Sequence, residues 1–231
     1  MQWLDLKPGE SALDVGCGTG DLVIDLVGTI APGIRGVGLD ASTEMVALAQ
    51  RRAADRGVTA EFCTGDAQSL GFSDGYFQGV HCSRVLMHLD RPDRAVAEMA
   101  RVLCPGGRLV SNEPDWAAWI LDADDRVTTT AVRAQLAERL RQPDMGRRLR
   151  RLALSCGLEV VDFQMALVPH YSLAQMVENH PLRLGLDDAT AAGTVDPASG
   201  AAWWGSLTEA DSKGCFFGAS AVFSLYARKP D

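Results

Sequence analysis

Three glycines set two residues apart, Gly16, Gly18 and Gly20, follow one acid, Asp14, and precede another, Asp40, by twenty residues. Glycine opens backbone angles closed to other residues and lets main-chain N–H groups come close to a ligand. A helix starting just beyond such a turn adds the positive end of its dipole, so the stretch Ser11–Gly20 suits an electron-rich group. A dinucleotide fold uses G-x-G-x-x-G, whose third glycine lets the helix pack on the strand. Here that third position is Asp21, neither glycine nor alanine, which argues against a nicotinamide-dependent reductase.

The turn needs a strand before it and a helix after it, and the sequence supplies both. Ala12–Val15 reads as a buried strand. Asp21–Ile30 reads as a helix, with Leu22, Val23, Leu26, Val27 and Ile30 on one face and Pro32-Gly33 as its stop. A second strand, Gly36–Leu39, ends in Asp40. Ser42 suits the N-cap of a helix running to about Arg56, where Gly57 ends it. The third strand is Ala60–Thr64, followed by Gly65-Asp66-Ala67, and the fourth is Gln78–Cys82, followed by Ser83-Arg84. A helix opening near Asp90-Arg-Pro-Asp93, with Val96, Met99, Ala100 and Leu103 in helical spacing, leads to a fifth strand at Leu109–Asn112. Strands alternating with helices predict an α/β fold with a doubly wound, mostly parallel sheet. Ligands of such sheets sit beyond the carboxyl ends of the strands, so positions 14–20, 40–42, 66–68 and 82–84 should share one edge.

Asp14 with the glycine series, and Asp40 beyond it, resembles motif I of the class I S-adenosylmethionine (SAM) dependent methyltransferases. A second stretch, Arg101-Val-Leu-Cys-Pro-Gly-Gly-Arg-Leu109, carries the same resemblance, which covers about residues 8–115. It is closest to the small-molecule branch that includes menaquinone and ubiquinone C-methyltransferases and many natural-product methyltransferases. The resemblance implies a Rossmann-like seven-stranded sheet whose last strand is antiparallel, between the fifth and sixth. It implies SAM as cofactor, with Asp14, Gly16, Cys17, Gly18 and Gly20 around its methionine and ribose parts, and Asp40 and Ala41 at the ribose. It also implies Asp66 at the adenine amino group, with main-chain groups of Ala67 or Gln68 beside it, and Ser83 at the end of the fourth strand. Met45, one turn into its helix, is either an adenine contact or plain core. One departure stands out: relatives carry helices ahead of motif I, whereas only Met1–Glu10 precedes it here. Either the start is truncated or the substrate cover comes from elsewhere.

Two candidate groups stand near the expected mouth. His88 follows the fourth strand, where some family members use a histidine as general base, and Asp115 could orient it. His170 is a weaker alternative, and His81 reads as structural. Past the fifth strand an insertion is expected at about 114–143, including a helix at Arg126–Arg141. A helix at Met145–Cys156 and a sixth strand at Leu158–Leu167 follow. Residues 172–213 read as a second helical insertion and Cys215–Arg228 as the last strand, so the expectation is one domain, 1–231, with both insertions as substrate cover. Trp116, Trp119, Trp203 and Trp204 lie in the insertions, either facing a flat apolar substrate or forming the insertions' own core.

Composition bounds the rest. At 231 residues and 47% hydrophobic the chain suits a domain of ~150–250 residues with a full core. A net charge of −8 gives nucleic acid little long-range attraction, so the local cluster Arg147, Arg148, Arg150 and Arg151 reads as a solvated helix face. Six scattered cysteines without a C-x-x-C pair fit reduced thiols, and the four dispersed histidines offer no metal site. No apolar run approaches ~18 residues, so no membrane contact and a cytoplasmic location are expected. The expected partners are a small-molecule substrate and, for assembly, a second copy in a homodimer. The expected activity is methyl transfer from SAM to O, N or C of a small aromatic or apolar metabolite. The alternative is a SAM-binding protein of the same fold that catalyses a rearrangement or cyclisation, or serves as a regulatory subunit.

Overall fold

A computed structural model describes residues 4–231. Its seven strands form one sheet in the order β3-β2-β1-β4-β5-β7-β6, with β7 antiparallel as the resemblance implied. The strands are β1 (Ser11–Val15), β2 (Arg35–Asp40), β3 (Glu61–Thr64), β4 (Phe77–Ser83), β5 (Leu103–Leu121), β6 (Glu159–His170) and β7 (Gly218–Arg228). Parallel pairing puts Asp14 of β1 opposite Gly38 of β2 and His81 of β4, and Asp40 of β2 opposite Thr64 of β3. The strand order reverses at β1 and β4, where open sheets place ligands.

The helices that flank the early strands follow from local sequence. In α2 (Thr43–Asp55) the Ser42 hydroxyl accepts the Met45 amide, and Val46, Ala49 and Ala53 are buried on one face. Gly57, with φ of 65°, ends it. The helix expected at Asp21–Ile30 is α-helical only as α1 (Asp21–Asp25). Leu26–Ile30 continues as a π-helical turn through Val27, Gly28 and Thr29, poor helix formers in succession. The next helix, α3 (Pro92–Val102), opens with Pro92 in its first turn, and the side chain of its N-cap residue Arg91 makes no capping hydrogen bond.

The largest departure from expectation is β5. It runs for 19 residues, from Leu103 to Leu121, and takes in Pro114–Trp119, which were expected to open an insertion. Burial alternates strictly through Gly107, Leu109, Ser111, Glu113 and Asp115. Beyond it come α4 (Arg126–Glu138), α5 (Met145–Ser155), α6 (Leu173–Asn179), α7 (Leu182–Ala191) and α8 (Pro197–Ser212).

The chain divides into two compact units. Among the described residues, the first comprises 4–113, 148–164 and 224–231; the second comprises 114–147 and 165–223, which contains both expected insertions. In the first unit, Val23, Ile24, Val46, Ala49 and Phe62 close the core on one face of the sheet. In the second, Trp119, Val132, Leu136, Met176, Leu186 and Trp203 form an independent core. Trp203 donates to Thr129 Oγ1 at 2.9 Å, so Trp119 and Trp203 are core residues of that unit. Trp204 is partly exposed, under the guanidinium of Arg183. Of the arginines expected to form a solvated helix face, Arg147, Arg150 and Arg151 are exposed, while Arg148 is half-buried and Arg147 is paired with the buried Asp115. No helix among the described residues is long and apolar enough to cross a membrane.

Candidate cofactor site

The first unit carries a cleft of about 510 Å³ at the carboxyl ends of β1 to β4. Its walls come from four turns. Gly16 belongs to the turn after β1; Leu39, Asp40 and Ala41 to the end of β2; Gly65, Asp66 and Ala67 to the end of β3; Ser83, Arg84, Val85, Met87, His88 and Leu89 to the stretch after β4. The expectation that these four turns share an edge therefore holds.

The glycine turn is fastened to β2 at three points. The amides of Gly16 and Cys17 donate to Leu39 O at 2.7 and 3.0 Å. The Gly18 amide donates to Asp40 Oδ2 at 2.8 Å, and the Ser42 amide takes the other Asp40 oxygen at 2.9 Å. Two glycines have distinct reasons to be glycine. Gly16 has φ of 73°, and a Cβ there would meet Val85 Cγ2 at 2.1 Å. Gly18 has φ of 51° but nothing within 4 Å of a Cβ, so its cost is conformational and its flank stays open.

Other expected residues lie behind the cleft wall. Asp14 is buried and its Oδ1 lies 2.8 Å from His81 Nδ1, directly across the parallel pair. Burial raises the Asp14 pKa, against the pull of His81. His81 is thus structural, as expected. Cys17 is buried, and burial followed by the charges of Asp14 and Asp40 pushes its thiol up to about 12. It stays a protonated thiol. Gly20 caps α1 in the left-handed region. Gln68 turns its carbonyl to the Arg91 amide at 3.0 Å, while its own amide donates to Asp66 Oδ1 at 2.8 Å. Met45 sits on α2 with 39% of its surface exposed and does not line the cleft.

His88 lies at the end of a 3-10 turn, Leu86–His88, and lines the cleft. Partial burial lowers its pKa below 6.5, which leaves the imidazole neutral at pH 7. Asp115 belongs to the second unit. It is fully buried, and Arg147 donates to both of its oxygens, one at 2.8 Å, with the Ala117 amide at 3.1 Å. Its hydrogen bonds serve that ion pair, not the orientation of His88 that the sequence suggested. His170 is likewise buried in the second unit, 2.8 Å from Ser220 Oγ.

Sequence reasoning placed Arg84 on this edge but missed Val85, Met87 and Leu89 as wall residues, and Glu113 behind them. Arg84 has φ of 58°, a left-handed value rare outside glycine, and its amide donates to Asn112 O at 2.9 Å. The signal for Glu113 was the spacing of Ser111, Glu113 and Asp115, three polar residues on the buried face of one strand.

The residues present fit the adenosyl cofactor. The open flank of Gly18 leaves room for a ligand at the turn. Asp40 and Asp66 offer carboxylate acceptors, and Leu39, Met87 and Leu89 supply apolar wall. Among the described residues no group of histidine, cysteine and acid side chains could hold a metal.

Comparison with known proteins agrees with this geometry. Residues 13–111 match the family described as a methyltransferase domain. The chain is 35% identical over 230 residues to a 37.1 kDa protein of transposon TN4556 in Streptomyces fradiae, covering 97% of this chain and 64% of that one. It is 39% identical over 104 residues to the demethylmenaquinone methyltransferase of Thermus thermophilus, covering 45% of this chain and 47% of that one. The chain thus spans about half to two thirds of the length of the curated relatives it matches. Among solved structures, a candidate methyltransferase of Bacillus halodurans C-125 shares the fold with a TM-score of 0.71 at 20% identity, covering 100% of this chain and 97% of that one. Residues 13–111, whose strand ends build the cleft after β1 to β4, match the methyltransferase-domain family, and the fit of that cleft to S-adenosylmethionine agrees with the match.

Proposed function

We propose that this chain transfers the methyl group of SAM to O, N or C of a small, flat, largely apolar metabolite. The observation that carries the reading is the Asp40 carboxylate, which holds the glycine turn by the Gly18 amide while facing the cleft. In this reading Asp40 accepts from the ribose hydroxyls, Asp66 and the Ala67 backbone meet the adenine, and the Gly16–Gly18 turn, open at the Gly18 flank, lies beside the methionine part. The cofactor supplies a methyl group activated by a sulfonium. The protein's part is to hold the acceptor in line with it and exclude water, which contributes ~7–11 kcal/mol in favourable cases. His88 is the candidate base: its imidazole is neutral near pH 7 and opens on the cleft. A general base is worth roughly 10²–10⁴ in rate where the acceptor must lose a proton. We read the second unit as the substrate cover.

Incubation with SAM labelled in its methyl group, and with phenolic and quinol acceptors, tests the proposal. Label appearing in an acceptor supports it. Cofactor binding by calorimetry with an acceptor rearranged but unlabelled would favour a non-methylating catalyst instead. Binding of NAD in preference to SAM would sink both.

A further inference from the structure

The stretch after β4 supplies Arg84, Val85, Met87, His88 and Leu89 to the cleft, yet it is a single irregular turn. Its shape is fixed from behind. One oxygen of Glu113, at the end of the first unit's part of β5, accepts the amides of Val85 and Leu86 at 2.9 and 2.8 Å. The preceding residue, Asn112, accepts the Arg84 amide through its carbonyl at 2.9 Å. Two successive β5 residues therefore grip three successive residues, Arg84 and Val85 of the wall and the buried Leu86 behind it. The grip holds Arg84 in a left-handed conformation that a free chain would leave. It also seats Val85 against Gly16, where no Cβ could fit.

We propose that Glu113 is a positioning residue of the cofactor site, setting the wall that carries His88 and, through Val85, the glycine turn. This rests on the cofactor reading above. Glu113 does not line the cleft; it acts through the amides it holds. The residue is fully buried and its second oxygen has no partner, so packing alone does not account for a carboxyl group there. Burial pushes its pKa up to about 7, opposed by the amides of Leu86, Val85 and Met87 and by the charge of Arg84. The other titratable groups facing this cluster lie on β4 and β1. They are the Cys82 thiol, raised well above its ordinary value by burial, Glu113 and Asp14, and Asp14 itself, whose pKa burial raises. Near neutrality the carboxyl is thus part protonated. The ionised form is the stronger acceptor for two amides at one oxygen.

The test measures the affinity for S-adenosylhomocysteine by calorimetry from pH 6 to 8.5, in the wild type and two variants. Glu113→Ala removes the acceptor and should weaken binding about tenfold or more at pH 8. Glu113→Gln keeps an acceptor but cannot ionise. Wild-type affinity should rise several-fold as pH climbs through about 7, and the glutamine variant should show a flat profile. His88 is present in both proteins, so its titration cancels in that comparison. An alanine variant that melts cooperatively near the wild-type temperature and binds within twofold of it overturns the assignment. So does a wild-type pH slope retained in Glu113→Gln, even if the alanine variant fails to fold. A wild type that binds no S-adenosylhomocysteine at any pH would take the cofactor reading down as well. The first two outcomes leave that reading standing.

Discussion

Gly18 donates its amide to Asp40 at 2.8 Å, and the same carboxylate takes the Ser42 amide at 2.9 Å, so one side chain ties the glycine turn to the start of α2. Asp40 therefore shapes the cleft before any ligand arrives. Loss of its charge-assisted hydrogen bonds should cost about 1–3 kcal/mol of cofactor affinity. Calorimetry of Asp40→Ala with S-adenosylhomocysteine reads this directly. Affinity equal to wild type would remove Asp40 from the site.

The two turn glycines should fail differently when replaced. Gly16→Ala sets a methyl group 2.1 Å from Val85 Cγ2, so the wall or the turn must move, and both stability and cofactor binding should fall. Gly18→Ala meets no atom within 4 Å and bears only its left-handed φ of 51°, a penalty of about 1–2 kcal/mol. Its melting temperature should drop less than that of Gly16→Ala, while cofactor affinity suffers because the methyl group projects into the open flank. Equal melting temperatures for the two variants would contradict this account.

His88→Ala separates a base from a wall residue. If the imidazole accepts the acceptor's proton, the rate should fall by roughly 10²–10⁴. The wild-type rate should also drop below a pH somewhat under 6.5, since burial disfavours the charged imidazole. S-adenosylhomocysteine binding should change little. Activity kept within a few-fold would exclude the base role.

These predictions concern the half of the chain that was legible in the sequence. Strands β1 to β4 and their turns follow from short apolar runs stopped by Gly57, Pro32-Gly33 and the caps, all local signals. The strand ends that Asp40, Asp66 and His88 reach follow from their spacing from those runs, and the resemblance to the methyltransferase family implied their roles. The course of β5 was not legible. Its buried face reads Leu109, Ser111, Glu113, Asp115, and three polar residues in alternation look like the start of a loop. Two of them are buried with a tertiary partner, Glu113 on the amides of the wall and Asp115 on Arg147. Such roles depend on residues dozens of positions away, which no local pattern reports. Asp115 misled for the same reason: adjacency to a strand end suggested His88, while Arg147 determined its partner.

Acid should unfold the protein partly through His180. This residue is buried in the second unit, between Trp116 at 4.8 Å and Trp119 at 5.6 Å between ring centroids. Burial, then the charge of His170, lowers its pKa from 6.5 to about 4. A lowered folded-state value means the unfolded chain binds the proton more readily. The stability linked to it is therefore present above pH 6.5 and lost as pH falls through about 4. That interval, from 6.5 to about 4, corresponds to about 3 kcal/mol. Urea unfolding between pH 7 and 4 should show a shallower loss in His180→Gln than in the wild type. Parallel curves would dismiss the histidine as a cause.

Ser220 sets the state of two histidines at once. His170 Nε2 and His180 Nε2 both lie 2.8 Å from its Oγ. The hydroxyl has one proton to donate, so it can serve only one imidazole nitrogen that way and must accept from the other. Burial lowers the pKa of both rings, which keeps both neutral, and a neutral ring carries its proton on one nitrogen only. One of the pair must then hold its proton on Nε2 and the other on Nδ1. Long-range proton–nitrogen NMR at pH 7 should show one of each tautomer for His170 and His180. Two rings of the same tautomer would refute the shared hydroxyl. Ser220→Ala leaves both nitrogens without their common partner in a dry core, and each loss costs about 1–3 kcal/mol. The variant should therefore unfold at clearly lower urea than wild type, while cofactor affinity, which depends on the first unit's own turns, changes little.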